Sequence, residues 1–136
     1  MPAIHPQVQK ARDLMPMIAA ASPEHDEKRE LTKPVVKALI EGGFFTMLKT
    51  KAVGGMELRP SIFAQVTEAL AIADGSTGWV VCQSNGCSTT SAYLDPNVAQ
   101  EIFGRPEGIV AWGRPDRRTR RRRSMAVTAS PANGGS

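Results

Sequence analysis

Helix start and stop signals divide this sequence into short segments, and they constrain its fold more than any other feature. Thr32 and Asp95 are typical helix caps, and Gly42-Gly43 is typical of a helix end. Three segments begin with proline in the first turn, where the missing amide hydrogen costs no hydrogen bond: Pro34, Pro60 and Pro96. Because apolar residues recur every three or four positions between these signals, the sequence predicts a helical fold.

The spacing predicts about five helices in one domain, joined at residues 44–59 by an irregular connection. The predicted helices cover residues 6–29, 33–41, 60–73, 77–93 and 96–103. Pro16 predicts a kink in the first helix, and the Ser22-Pro23 pair predicts an interruption. Asp74 or Ser76 is expected to cap the fourth helix. The apolar run "GIVAWG" after the fifth helix is typical of the start of a β-strand.

The excess of positive charge is confined to the end of the chain. The formal net charge is +4, yet residues 1–113 hold ten basic and twelve acidic side chains. From Arg114 onward, seven arginines accompany a single acid, Asp116. The basic excess therefore belongs to the last segment and not to the predicted helical unit.

Cysteine, histidine and hydropathy patterns argue against several classes of protein. Cys82 and Cys87 lie five residues apart on one predicted helix, so their side chains point apart and suit neither a redox pair nor a disulfide. His5 and His25 are far from both cysteines in the sequence, and no zinc-like spacing occurs. No run approaches the roughly 20 apolar residues that span a bilayer, and the start lacks a secretory pattern. We therefore expect a cytoplasmic protein without a metal site or a membrane partner.

The fourth predicted helix is unusual because it carries hydrogen-bonding side chains on every side: Gln83, Ser84, Asn85, Ser88, Thr89 and Thr90. Small polar residues allow neighbouring helices to pack closely, which is one interpretation. The other is the wall of a ligand cavity, because such cavities combine an apolar lining with a few placed polar groups. Composition alone favours close packing, and it does not exclude the interpretation as a cavity wall.

Four segments in a fixed order give a family resemblance over about Ala11 to Pro115. They are "ELTKPVVKALIEGGFFTMLKTKAVGGMEL", "VTEALAIADGSTGWVV", "LDPNVAQEIFG" and "GIVAWGRP". Together they resemble the amino-terminal helical domain of the acyl-CoA dehydrogenase superfamily. The likeness is closer to its flavin-dependent monooxygenase branch, in which "ADGSTGW" and an "AWG.P" strand are typical.

The resemblance implies an oxidoreductase that uses FAD or FMN. Members have a helical amino-terminal domain, a central β-barrel and a carboxy-terminal four-helix bundle, usually as a homotetramer. The implied substrate is a small molecule, either an aromatic compound for a hydroxylase or an acyl thioester for a dehydrogenase. Both reactions remain open at this point.

The resemblance also places residues near the ligands. It implies that Trp112 and Gly113 lie at the flavin edge and that Gln83, Ser84 and Cys87 lie near the substrate. No catalytic base is implied, because "SNGCS" replaces the segment in which many monooxygenase-branch members carry a histidine.

The resemblance divides the chain into a helical domain over residues 1–108, the start of a barrel over 109–115, and a disordered basic tail over 116–136. The family pattern continues with a short link and a strand pair, whereas this chain continues with arginines. Codons compatible with residues 123–136, read in a shifted frame, permit V-D-G-G-Y-R-V-T-G-K-W-R-F.

That coincidence supports the hypothesis of a frameshift near Arg114, which would remove the barrel and the bundle and leave the chain inactive alone. One rival is a genuine arginine-rich arm that binds nucleic acid. Another is an exposed terminus without a role. The shifted frame favours the first hypothesis, and it makes nucleic acid the less favoured partner.

Overall fold

The computed structural model describes residues 3–111, and these residues form five α-helices and two 3₁₀ turns. The helices are α1 (Pro6–Lys28), α2 (Lys33–Glu41), α3 (Pro60–Ala73), α4 (Gly75–Ser88) and α5 (Pro96–Phe103). The 3₁₀ turns are Lys51–Val53 and Thr89–Ala92. This part of the chain contains no strand, and the predicted all-α, five-helix domain is confirmed.

One hydrophobic core joins the first four helices. Helix α1 packs along α3, and α3 packs along α4. The connection after α2 turns Phe44, Phe45 and Met47 into this core. The other buried core residues are Val8, Ala11, Ile18, Val35, Leu39, Val66, Ala69, Leu70 and Val81. Burial of these apolar side chains is the main stabilising contribution to the domain.

Most helix boundaries lie where the local signals predict them. Helices α3 and α5 begin at prolines, and α2 ends at Gly42. Asp74, not Ser76, caps α4, because its carboxylate accepts a hydrogen bond from the Thr77 amide. Thr32 precedes α2, although its hydroxyl makes no capping bond there.

The predicted interruption of α1 is wrong. The helix continues without a break through Pro16 and Pro23. Both prolines are exposed, whereas Ala11 and Ile18 of the same helix are buried. Water can therefore satisfy the carbonyls that lose an amide partner, while burial of the opposite face holds the helix together.

Helix α4 ends at Ser88, five residues before the predicted Tyr93. The hydroxyls of Ser88, Thr89 and Thr90 each donate to the carbonyl three residues earlier, at 2.7–2.8 Å. Side chains that bond nearby carbonyls compete with the regular helical ladder. The chain accordingly tightens into the 3₁₀ turn Thr89–Ala92.

The expected barrel strand and basic tail fall largely outside the described residues. Residues 109–111 have no regular secondary structure. The remainder of the expected strand, with Trp112 and Gly113, lies outside the described range, and so does the whole segment 116–136. Of the helices within residues 3–111, none is long and apolar enough to cross a membrane.

Candidate functional site

Two of the predicted substrate-side residues line one cavity. Gln83 and Ser84 bound a cavity of about 350 Å³ together with Trp79, Val80 and Ala111. Positions 80, 83 and 84 share one face of α4, because residues three and four apart are neighbours on a helix. The cavity thus lies between α4 and the segment that follows α5.

Of the other three predicted residues, only Cys87 lies within the described range, and it does not line this cavity. Cys87 is buried on α4 with 5% of its surface exposed, and it is not among the lining residues. Trp112 and Gly113 lie outside the described residues. Ala111, which precedes them directly, does line the cavity. The chain therefore reaches the cavity immediately before the predicted flavin-edge residues.

The cavity lining is chemically simple. Trp79, Val80 and Ala111 supply apolar surface, Gln83 supplies an amide, and Ser84 supplies a hydroxyl. No charged side chain of the described range lines it. Such a lining suits a flat, mostly apolar molecule with one or two hydrogen-bonding groups. It suits the edge of a flavin ring, but it offers no cation to a flavin phosphate.

A second cavity of about 350 Å³ adjoins the first. Both cavities share Trp79 and Val80, so the exposed indole ring of Trp79 stands between them. The remaining lining residues are His25, Asp26, Arg29, Glu30, Leu31 and Ser76. Charged side chains surround this second cavity, which distinguishes it from the uncharged first one.

The first turn of α4 is held by a buried carboxylate. One Asp74 oxygen, Oδ2, accepts hydrogen bonds from the Thr77 amide at 2.8 Å and the Thr77 hydroxyl at 2.6 Å. The same oxygen lies 3.0 Å from His25 Nδ1. The other oxygen, Oδ1, accepts from the Ser22 hydroxyl at 2.8 Å. Two residues of α1 therefore contact the cap of the helix that forms the cavity wall.

These contacts control the ionisation of Asp74. Burial raises the pKa of the carboxyl, but hydrogen bonds from Thr77, His25 and Ser22 outweigh it and lower the pKa to about 2. Asp74 is therefore a carboxylate at neutral pH, and its negative charge favours the amino-terminal end of α4.

Helix α4 approaches α3 closely because Gly78 has no side chain. A Cβ atom at Gly78 would lie 2.6 Å from Ala71 Cβ and 2.7 Å from Ala71 Cα. Neither atom belongs to a flexible side chain that could move aside. Gly78 thus sets how closely the two helices approach each other.

A buried amide joins α4 to the connection after α2. Asn85 is fully buried, and its Nδ2 donates to the carbonyls of Phe44 at 2.7 Å and Val81 at 2.9 Å. Its Oδ1 accepts from the Leu48 amide at 3.1 Å. The irregular segment 44–48 therefore depends on a side chain of the cavity helix for its backbone hydrogen bonds.

A buried lysine holds the turn that leads from α5 to the cavity. The Lys49 ammonium donates to the carbonyls of Phe103 at 3.0 Å and Arg105 at 3.1 Å. Burial lowers the pKa of Lys49, and the Glu107 carboxylate partly offsets this shift. A cation at these carbonyls also stabilises the carboxy-terminal end of α5.

Sequence reasoning missed His25, Ser22 and Lys49, and it assigned Asn85 no specific role. No local pattern marks these residues, because their partners lie 37 to 56 positions away in the chain. The only available signal was the capping pattern at Asp74. Within residues 3–111 no three His, Cys, Asp or Glu side chains are grouped so that they could hold a metal.

Comparison with curated proteins gives several flavin-dependent relatives. The oxygenase subunit HsaA of a flavin-dependent monooxygenase from Mycobacterium tuberculosis is 34% identical over 92 residues, which cover 68% of this chain and 23% of that protein. Indole-3-acetate monooxygenase from Pseudomonas putida is 35% identical over 92 residues, covering 66% and 23%. A pigment production hydroxylase from Rhodococcus erythropolis is 39% identical over 62 residues, covering 46% and 16%.

The matched region spans less than a quarter of the length of these relatives. No solved structure gives a significant match. The family model for the acyl-CoA dehydrogenase N-terminal domain matches residues 8–101. Because this match covers well over half of the chain and agrees with its helical fold, the chain belongs to the acyl-CoA dehydrogenase family through that N-terminal domain.

Proposed function

We propose that this chain supplies the amino-terminal domain of a flavin-dependent monooxygenase and that the cavity beside Gln83 is the place where an aromatic substrate meets the flavin. The observation that carries the proposal is the joining of Gln83, Ser84 and Ala111 around one uncharged cavity. The relatives named above are monooxygenases and a hydroxylase, which favours hydroxylation over dehydrogenation of an acyl thioester.

The residues of the cavity define what the chain would contribute. Trp79 and Val80 would exclude water from an aromatic ring, and this dry surface would strengthen polar contacts. The Gln83 amide can donate to or accept from a substrate oxygen, and the Ser84 hydroxyl can do the same. A bound reduced flavin would supply the electrons that activate dioxygen. No catalytic base is assigned.

FAD and FMN share the flavin ring and differ at the phosphate end of the cofactor. Because no charged side chain of residues 3–111 lines the cavity, we propose that the phosphates are bound outside this wall. Within the proposal, the described residues contact the ring edge and the substrate but do not hold the cofactor alone. FMN, which has a single phosphate, and FAD both satisfy this arrangement.

A domain exchange tests the proposal. Residues 8–111, which extend the family match over residues 8–101 to include the cavity residue Ala111, would replace the corresponding segment of the Pseudomonas putida indole-3-acetate monooxygenase. We expect the chimera to bind flavin and to oxygenate indole-3-acetate. Gln83→Leu in the chimera should lower kcat/KM about tenfold, on the order of one lost substrate hydrogen bond. Activity is measured by product formation and oxygen consumption.

Gln100→Leu is the matched control, because Gln100 is exposed on α5 and does not line the cavity. This variant should leave kcat/KM unchanged. A folded, flavin-loaded chimera that oxygenates no aromatic substrate would contradict the proposal. If Gln83→Leu and Gln100→Leu lower kcat/KM equally, the cavity residue has no specific role in the reaction.

A further inference from the structure

We propose that Ser22 and His25 of α1 are positioning residues for the candidate cavity. They bind the Asp74 carboxylate at the start of α4 and thereby set the position of the wall that carries Gln83 and Ser84. The inference rests on the proposed function only where it treats this cavity as the substrate side. The claim that Ser22 and His25 set the position of α4 requires no ligand.

The connection between α3 and α4 is a single residue, Asp74. Helix α3 ends at Ala73 and α4 begins at Gly75, so Asp74 alone forms the corner, in an extended conformation. A Cβ atom at Gly75 would meet no heavy atom within 4 Å, whereas Gly78, three residues later, packs against Ala71 of α3. The Asp74 side chain therefore holds the corner through hydrogen bonds, and the Gly78 contact sets the spacing of α3 and α4 beyond it.

The contacts of Asp74 come from two directions. Thr77 binds it from within α4, which closes the cap. Ser22 and His25 bind it from α1, about fifty positions earlier in the chain. The cap bond from Thr77 starts the helix and the Gly78 contact holds it against α3, but neither ties it to α1. The bonds from α1 supply that second constraint.

The His25 ring connects a third helix to the same point. Its side chain is fully buried, and its Nε2 lies 3.4 Å from the Thr32 hydroxyl at the start of α2. A proton on Nδ1 lets the ring donate to Asp74 and accept from Thr32, a tautomer assigned from these partners. One imidazole thus links the starts of α2 and α4 to α1.

A small change at this corner has a large effect on the cavity. Ser84 lies ten residues beyond Asp74, or about 15 Å along the helix at 1.5 Å per residue. A tilt of about 5° at the corner would move Ser84 by roughly 1 Å. Displacements of that size matter for catalysis, because reacting groups must be held within a fraction of an ångström.

Hydrogen exchange of the full chain tests the proposal without flavin or substrate. The variants are His25→Leu, which removes both ring contacts, and Ser22→Ala, which removes only the hydroxyl. His25→Asn is the rescue variant, because its amide nitrogen is as far from the backbone as Nδ1 and can still donate to Asp74. Exchange is measured for amides of residues 77–81 in α4 and 66–70 in α3.

We expect His25→Leu and Ser22→Ala to speed exchange in residues 77–81 at least about tenfold while residues 66–70 change little. His25→Asn should restore most of the protection. Uniform acceleration in both helices would show that the network contributes only to global stability, and the proposal would be overturned. Unchanged exchange in Ser22→Ala, with no difference between His25→Leu and His25→Asn, would overturn it as well.

If His25→Leu does not fold, Ser22→Ala and His25→Asn still decide the question. Ser22→Ala removes a single oxygen atom from a half-buried position and is the mildest of the changes. Because no ligand enters the experiment, its result is independent of the domain exchange. A folded, flavin-loaded chimera without activity would refute the proposed function and leave the positioning role intact.

Discussion

Asp74 shows how one side chain serves both a helix and a domain. Its carboxylate begins α4 through Thr77 and ties that helix to α1 through Ser22 and His25. The pKa of this carboxyl is lowered from 3.8 to about 2, so the folded state prefers the charged form more strongly than the unfolded state does. Stability from this preference is present above about pH 4 and is lost as the pH falls toward 2.

The first prediction concerns Asp74→Asn. Wild type should lose on the order of 2 kcal/mol of unfolding free energy between pH 4 and pH 2 through this group, since each pKa unit corresponds to about 1.4 kcal/mol. The variant should be less stable at pH 7, and the difference between the two proteins should shrink toward pH 2. Urea unfolding followed by circular dichroism measures this difference.

Asp95→Asn is the control for that prediction, because Asp95 also caps a helix but is exposed and has no partner in α1. It should retain the pH dependence that Asp74 provides. A stability difference between wild type and Asp74→Asn that is constant from pH 7 to pH 2 would contradict the assigned role of the carboxylate.

The second prediction concerns Asn85→Ala. The substitution removes three hydrogen bonds and leaves the Leu48 amide and the Phe44 carbonyl without their partner. We expect a loss of about 2–4 kcal/mol in unfolding free energy, typical of stranded buried polar groups. Asn97→Ala, at an exposed site on α5, should change stability by less than about 0.5 kcal/mol. If the two substitutions change the unfolding free energy by similar amounts, the buried hydrogen bonds of Asn85 do not stabilise the fold as proposed.

At the scale of the helices, two glycines of α4 have opposite surroundings. Gly78 faces the Ala71 backbone, whereas a Cβ atom at Gly86 would meet no heavy atom within 4 Å. Both lie within the same helix, so the intrinsic helix preference of alanine over glycine is similar at the two positions. The pair therefore separates helix propensity from helix packing.

The third prediction uses this pair. Gly86→Ala should raise the unfolding free energy by up to about 1 kcal/mol, because alanine favours the helix. Gly78→Ala should lower it by about 1–3 kcal/mol, because α3 and α4 must move apart. Chemical denaturation measures both values. If Gly78→Ala is as stabilising as Gly86→Ala, the close contact with Ala71 does not determine the helix spacing.

At the scale of the whole molecule, the described residues provide one wall of the candidate site. The five residues around the uncharged cavity come from α4 and from Ala111 alone, and this cavity is bounded by no charged side chain of the described range. The matched region also covers 23% of the monooxygenase relatives. A flavin needs contacts around its ring and its phosphate, and in the proposed arrangement this wall would supply only the former.

The fourth prediction is therefore that the chain alone binds flavin weakly and does not turn over. Titration with FMN and with FAD, followed by flavin fluorescence and equilibrium dialysis, should give no saturating one-to-one complex at micromolar concentrations. Trp79→Ala serves as the comparison, since Trp79 lines the cavity. A stoichiometric yellow complex that oxidises reduced nicotinamide or an aromatic substrate would contradict this expectation.

Local signals in the sequence determined most of the helix boundaries. Proline in the first turn, the caps at Asp74 and Asp95, and the glycines after α2 act within a few residues, so they can be read without knowledge of the fold. The face shared by Gln83 and Ser84 also follows from local geometry. Its assignment to substrate came from the resemblance, not from spacing.

Only the tertiary structure decided what those helices do together. The bonds of Asp74 to α1, of Asn85 to the Phe44 segment and of Lys49 to the end of α5 join residues that are distant in the chain. Tertiary packing also keeps α1 continuous past its two prolines, because burial of the opposite face outweighs the local loss of hydrogen bonds. Hydrogen bonds between residues that are distant in the chain depend on packing, and no local sequence signal identifies their partners.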